Sequence, residues 1–180
     1  MIPPALVFNC HYNGLSIIQE LGRHGVPVYA LDAFRSVGTA SRYAHYWPCP
    51  DPLSDEDAFI RFLIEMGGEF DQKPVLFPTN DHWAAAIARH KLELEQWYLP
   101  CVADGPVVDL LINKDRFYRW AMERNYPVPA LYSASEVLEG SDDIFPLIGK
   151  PIARRSPNLC TDHQNLVNFL DTHRMTVFNN

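Results

Sequence analysis

What this chain lacks excludes several chemistries. Its four cysteines, Cys10, Cys49, Cys101 and Cys160, stand far apart with no Cys-x-x-Cys pair. Neither a zinc knuckle nor a redox dithiol is readable, and plain reduced thiols are expected. The seven histidines are scattered without a His-x-x-x-His pair, so a protein-bound transition metal is not expected. No serine sits in a G-x-S-x-G elbow, which leaves a covalent hydrolase mechanism without support. Glycine is scarce, nine residues in 180, and none of them forms G-x-G-x-x-G. The close backbone approach that a dinucleotide pyrophosphate requires is therefore not provided. No apolar run approaches the roughly 18 residues needed to span a bilayer. Met1-Ile2-Pro3-Pro4 has neither the charged start nor the apolar stretch of a signal peptide. A cytoplasmic protein without a membrane partner is expected. An excess of positive charge is missing too, with 15 Lys and Arg against 22 Asp and Glu and a net charge of -7, so nucleic acid is not an expected partner.

What is present describes an ordinary globular protein, with 47% hydrophobic and 21% charged residues. Ala5-Leu6-Val7-Phe8-Asn9 is a short continuous apolar run, the pattern of a strand buried on both faces. A polar turn, Cys10 to Gly14, leads into a helix with Leu15, Ile18 and Leu21 at helical spacing, ended by Gly22 and Gly25. Val26 to Asp32 is a second strand closed by an acid. A strand, helix, strand unit of this length needs a right-handed crossover and a parallel sheet, so the fold class is α/β. After an irregular, proline-rich stretch from Tyr43 to Pro52, Ser54 is placed to cap a helix over Asp55 to Met66. Pro74 to Pro78 is a third buried strand, and Thr79-Asn80-Asp81 caps a helix with Trp83, Ile87, Leu94 and Trp97 on one face. Leu99 to Ala103 is a fourth strand.

The alternation pauses around Asp104-Gly105-Pro106. Short helices are expected over Val107 to Ile112 and Lys114 to Arg124, the second turning Phe117, Trp120 and Ala121 inward. A strand at Ala130 to Tyr132, a helical turn at Ser135 to Leu138 and a strand at Phe145 to Ile152 follow. Thr161 to Gln164 reads as a capping box before a final helix bearing Leu166, Phe169, Leu170 and His173. The domain boundary falls near residues 104 to 112, giving domains of residues 1–110 and 111–180.

Two loops occupy the position where a doubly wound sheet binds ligands, the carboxyl end of a strand and the start of the next helix. One carries Asn9, His11, Asn13 and Gly14, and the other Thr79, Asn80 and Asp81. Both also have a plain structural reading as helix starts. Lys114, at the start of an amphipathic helix, and Lys150, after Pro146-Leu147-Ile148-Gly149, are two long-reach cations. A lysine at a helix start opposes the helix dipole unless an anion lies close, and an inward-facing Lys150 requires an anionic partner. A nucleotide triphosphate is the natural candidate.

In order and spacing, these features resemble the ATP-grasp superfamily, in particular its carboxylate-amine ligases and carbamoyl-phosphate-synthase-like members. The resemblance rests on Gly14-Leu15-Ser16-Ile17-Ile18, Leu21 to Val28, Ser41-Arg42-Tyr43 and Val75 to Asp81 for the first domain. Beyond it rest Asn113-Lys114-Asp115-Arg116-Phe117, Tyr126-Pro127-Val128-Pro129 and Phe145 to Pro151. It covers essentially the whole chain. It implies a Rossmann-like parallel-sheet preATP-grasp domain followed by an incomplete α+β ATP-grasp subdomain, with Lys114 and Lys150 as ATP contacts. It also implies chemistry in which ATP with Mg2+ phosphorylates a carboxylate and an amine displaces the phosphate. Small-molecule carboxylate and amine substrates are thus the implied partners, with the Asn9 to Gly14 and Thr79 to His82 loops on the acceptor side. The chain departs from the family where Ile152 to Asn158 contains no glycine, whereas a glycine-rich phosphate loop is usual there. The adenine hinge and the magnesium ligands would lie beyond Asn180, so the chain reads as truncated and inactive alone.

Two other readings stay open. One is a non-catalytic small-molecule-binding or regulatory module that retains the Rossmann-like domain. The other is a fragment of a nicotinamide-dependent oxidoreductase, for which Asp32 is the best support as a potential holder of a ribose hydroxyl. An apolar face left exposed in residues 113 to 180 would favour self-association.

Overall fold

A computed structural model describes residues 2–130, 132–139, 145–149 and 158–177. The chain divides into two compact units, Met1–Ile112 and Asn113–Asn180.

In the first unit, strands β1 (Ala5–Phe8), β2 (Val28–Asp32), β3 (Ala44–Pro48), β4 (Val75–Pro78) and β5 (Leu99–Pro100) form one sheet in the order β3-β2-β1-β4-β5. All its pairings are parallel. β1 is central and wholly buried because every one of its residues is apolar, and it pairs Phe8 with Leu31 on one side and Pro78 on the other. Alternation along the strands sends Leu6, Phe8, Leu31 and Leu76 to one face and Ala5, Val7, Val28 and Ala30 to the other. Helix α1 (Tyr12–Arg23) covers the second face through Ile18, Ile17 and Leu21. Helices α2 (Glu56–Gly67) and α3 (Asp81–Arg89) cover the first, where Phe8, Phe59 and Trp83 pack with ring centroids 5.0 to 5.7 Å apart. Tyr98 closes that core. Its hydroxyl donates to Leu63 O at 2.6 Å, and burial pushes its pKa up.

Several expectations are corrected in detail. The stretch from Tyr43 to Pro52 is not wholly irregular, since Ala44–Pro48 is the edge strand β3. The helix after β1 runs past Gly22, which lies so close beneath the Tyr43 ring that any Cβ would clash with it. Asp55, not Ser54, caps α2, accepting from Ala58 N at 2.8 Å. The long helix expected after β4 is two, α3 and α4 (Lys91–Leu94), broken at His90. Trp97 lies beyond α4, is 39% exposed, and leans on Gly67 rather than on the core. The strand expected over Leu99 to Ala103 is only two residues long. Helix α5 (Gly105–Ile112) ends the unit.

The second unit carries helices α6 (Lys114–Glu123), α7 (Ala134–Glu139) and α8 (His163–Val177), with a two-stranded antiparallel ribbon of β6 (Leu147–Gly149) and β7 (Asn158–Cys160). It is the α+β portion anticipated from the sequence. Its core is small, with Val137, Cys160, Leu166 and Phe169 buried. Asn113 caps α6 by accepting from Arg116 N at 3.1 Å. Asp162, not Thr161, caps α8, accepting from Asn165 N at 2.8 Å. Ala130 and Tyr132 belong to no strand, and Leu131 lies outside the described residues, as does the end of the strand expected over Phe145 to Ile152. Among the described residues no helix is long and apolar enough to cross a membrane.

Candidate functional site

The switch point of the sheet lies between β1 and β4, which are adjacent in space although β2 and β3 intervene in sequence. A parallel sheet opens a crevice at the carboxyl ends of such a strand pair. The two candidate loops flank it: Asn9 to Gly14 leads from β1 into α1, and Thr79 to His82 leads from β4 into α3.

The first loop is held by its own backbone. Asn9 takes a left-handed conformation at φ 56°, which asparagine tolerates better than most residues. Its carbonyl then accepts from His11 N at 2.8 Å. A Cβ at Gly14 would stand 2.8 Å from that same oxygen, so only glycine lets α1 start this close to the turn. Thr79 Oγ1 spans the crevice, 2.7 Å from Asn9 O and 3.0 Å from Phe8 O. Asn80 Oδ1 accepts from Trp83 N at 3.2 Å and caps α3.

Asp32 lies beneath the first loop. It is only 8% exposed, and its Oδ2 accepts from Cys10 N at 2.8 Å and from Ser36 Oγ at 3.1 Å. An aspartate turned inward onto two protein donors is not placed as a ribose holder. Cys10 and Cys49 lie close to it, both buried. Burial first and the Asp32 carboxylate second push the Cys10 thiol up to about 12, and the same two causes raise Cys49. These are inert thiols rather than nucleophiles. Gly38 N donates to Cys10 O at 2.7 Å, and Ser36 Oγ stands 2.7 Å from the same oxygen, so its single hydroxyl proton is shared between that carbonyl and Asp32 Oδ2. On the other flank His82 Nε2 lies 3.4 Å from Asp51 Oδ1.

The sequence candidates therefore divide by what already occupies them. Thr79, Asn80 and Gly14 serve the loop architecture. Asn9, His11, Asn13 and Asp81 make no side-chain hydrogen bond or ion pair among the described residues, and His11 only meets the Tyr12 ring edge to face at 4.4 Å. Asp32, Ser36, Gly38 and Asp51 were not singled out as a linked set, although a strand-terminal acid marked one of them. Lys114 opens α6, exposed and without an ion-pair partner among the described residues. Lys150 lies outside the described residues.

No protein-family model and no curated protein matches the chain. Solved structures match its fold. An L-amino acid ligase from Bacillus licheniformis has TM-score 0.69 at 16% identity, over 97% of this chain and 42% of that one. The N5-carboxyaminoimidazole ribonucleotide synthetase of Thermotoga maritima has TM-score 0.59 at 15% identity, over 93% of this chain and 43% of that one. The fold is that of the amino-terminal region of ATP-grasp enzymes. A biotin carboxylase domain from Hydrogenobacter thermophilus, in a structure with MgADP and bicarbonate, extends the ATP-grasp likeness with TM-score 0.61 at 16% identity. It is matched over 96% of this chain and 41% of that one. The chain thus spans less than half the length of each of these ATP-grasp proteins.

Proposed function

We propose that this chain is the amino-terminal portion of an ATP-dependent ligase that activates a carboxylate as an acylphosphate and joins it to an amine. The observation that carries the reading is the likeness, over 97% of the chain, to an L-amino acid ligase structure. It spans a switch-point sheet and the α6 to α8 segment together. A Rossmann-like module alone would resemble the first unit only.

In this reading Lys114 and Lys150 meet the nucleotide phosphates. Catalysis of this type consists largely of positioning and charge neutralisation. The exposed Lys114 ammonium has no partner among the described residues to release first. The Asn9 to Gly14 and Thr79 to His82 loops border the acceptor side, where their cross-tie orients the uncommitted Asn9, His11, Asn13 and Asp81. Among the described residues no group of three His, Cys, Asp or Glu side chains could hold a metal.

Calorimetry with ATP and Mg2+ tests the assignment on the 180-residue chain and on the protein extended by its downstream reading frame. Nucleotide binding is expected in the extended protein. Lys150→Met should weaken it about ten- to a hundredfold, since a charge-assisted contact contributes roughly 1.5 to 3 kcal/mol. Unchanged affinity in that variant overturns the reading. A tight ligand for the short chain alone would favour the binding-module alternative.

A further inference from the structure

At the amino edge of the sheet, opposite the crevice, the turn before β3 meets the end of α1, and Tyr43 joins the two. Its ring packs against the second core cluster and over Gly22, where no Cβ would fit. Ser41 holds the turn, its Oγ accepting from Tyr43 N at 3.3 Å and its carbonyl from Ala44 N at 3.2 Å. The phenol hydroxyl is thus carried on a ring that is fixed before any ligand arrives, which lowers the ordering cost of binding.

Two guanidinium groups act on this hydroxyl. Arg42 Nη2 donates to Tyr43 Oη at 2.8 Å, with its Cζ 4.8 Å from the ring centroid. Arg23, the last residue of α1, hydrogen-bonds the same hydroxyl. The Arg42 hydrogen bond first, and Arg23 with it, hold the phenol below its ordinary pKa. Every group gathered at this point is a donor. The phenol oxygen accepts from arginine, so its own proton remains to be given, and among the described residues no acceptor takes it. Nor does Arg42 have a carboxylate within ion-pair distance among them, while Arg23 has only Glu20, 4.0 Å away and 3.6 Å from His24. All three of those side chains are well exposed, so the contact contributes little. The backbone oxygens at the end of α1 are already engaged: Leu21 O and Gly22 O accept from His24 N, Gly25 N and Val26 N, and Glu20 O lies 2.9 Å from His24 Nδ1. In a chain of net charge -7, this is a local reversal of sign with no protein anion placed to answer it.

We propose that Arg23, Arg42 and Tyr43 form a binding site for a phosphate group, carried by inorganic phosphate or by a phosphate monoester. Two guanidinium forks and a hydroxyl match the several oxygens of a tetrahedral anion, and two positive charges match its two negative ones. The site shares no residue with the crevice loops and does not rest on the ligase reading.

The test titrates the 180-residue chain with inorganic phosphate, glycerol 2-phosphate and acetate by calorimetry at pH 8, with ionic strength held constant by chloride. At least one phosphate compound should bind at least tenfold more tightly than acetate, because a charge-assisted contact is lost with the carboxylate. Preference for the monoester or for the free anion tells which of the two is the ligand, and either supports the site. Arg23→Gln and Arg42→Gln should each weaken binding about tenfold or more, and Tyr43→Phe, which keeps the ring, about threefold. Arg35→Gln removes another exposed arginine, one that lies over the Tyr46 ring, and should change nothing. Bound phosphate should also raise the pH at which Tyr43 ionises, read as the tyrosinate absorbance that Tyr43→Phe removes. The three arginines are exposed, so circular dichroism should stay unchanged in their variants. Equal affinity for phosphate compounds and acetate overturns the proposal. So does phosphate binding that Arg23→Gln and Arg42→Gln leave intact, or that Arg35→Gln weakens as much as they do.

Discussion

Thr79 does more than its place at a helix start announces. Its hydroxyl reaches across the switch point to Asn9 O, which also accepts from His11 N. Thr79→Val should therefore cost only about 1 kcal/mol in urea unfolding, since the carbonyl keeps one donor, and Thr79→Ser should restore most of it. The thiols offer a second check at this scale. Cys10, Cys49 and Cys160 are buried, and burial raises the pKa of each, whereas Cys101 is exposed. Labelling of the native chain with a thiol reagent at pH 8 should show one fast group, and all four after denaturation. The positions of both candidate loops were legible in the sequence because a strand followed by a helix start fixes them. The partners of Asp32 were not. Nothing local distinguishes an acid that faces solvent from one that turns beneath a neighbouring loop, and Ser36 and Cys10 reach it only through the fold.

At the level of elements, apolar runs with clear punctuation were readable and short edge pieces were not. β1, β2 and β4 are central and wholly or largely apolar, whereas β3 is an edge strand whose His45 and Pro48 are exposed and whose flanks are rich in proline. Its pairing with β2, not its composition, makes it a strand. Helix caps shifted by one residue for a related reason: Ser54 and Asp55 are both good caps, and backbone geometry decides between them. The strongest test at this scale is the aromatic contact between helices and sheet. Phe59 lies 5.7 Å from Phe8 and 5.0 Å from Trp83, fully buried. Phe59→Ala should cost about 3 to 5 kcal/mol and lower the thermal midpoint accordingly.

Over the whole molecule, the two units differ in how far each can sustain itself. Met1–Ile112 holds a five-stranded sheet with a core on each face, while the described residues of the second unit form a two-stranded ribbon and one small cluster of Val137, Cys160, Leu166 and Phe169. Residues 1–112 expressed alone should melt cooperatively, and residues 113–180 alone should not, because a lone two-stranded ribbon is marginal. The first unit should also weaken in acid. Hydrogen bonds from Arg89 hold the Glu56 carboxyl below its ordinary range, tying α2 to the end of α3. Such a depressed pKa adds stability that is complete above the ordinary value near 4.5 and fades as pH falls through the folded one. Both partners are partly exposed, so the contribution is about 1 kcal/mol or less. Glu56→Gln should flatten that limb of the melting profile.

The place of β1 also has a consequence for the order in which the molecule forms. β1 is flanked by β2, made soon afterwards, and by β4, whose loop meets it across a separation of 70 residues. On the ribosome, its buried apolar edge therefore waits with one flank unpaired until Val75–Pro78 emerges. Long-range parallel pairing is slow, and an open apolar strand is a template for aggregation. The chain's most secure strand at the end of folding is thus its most vulnerable during synthesis.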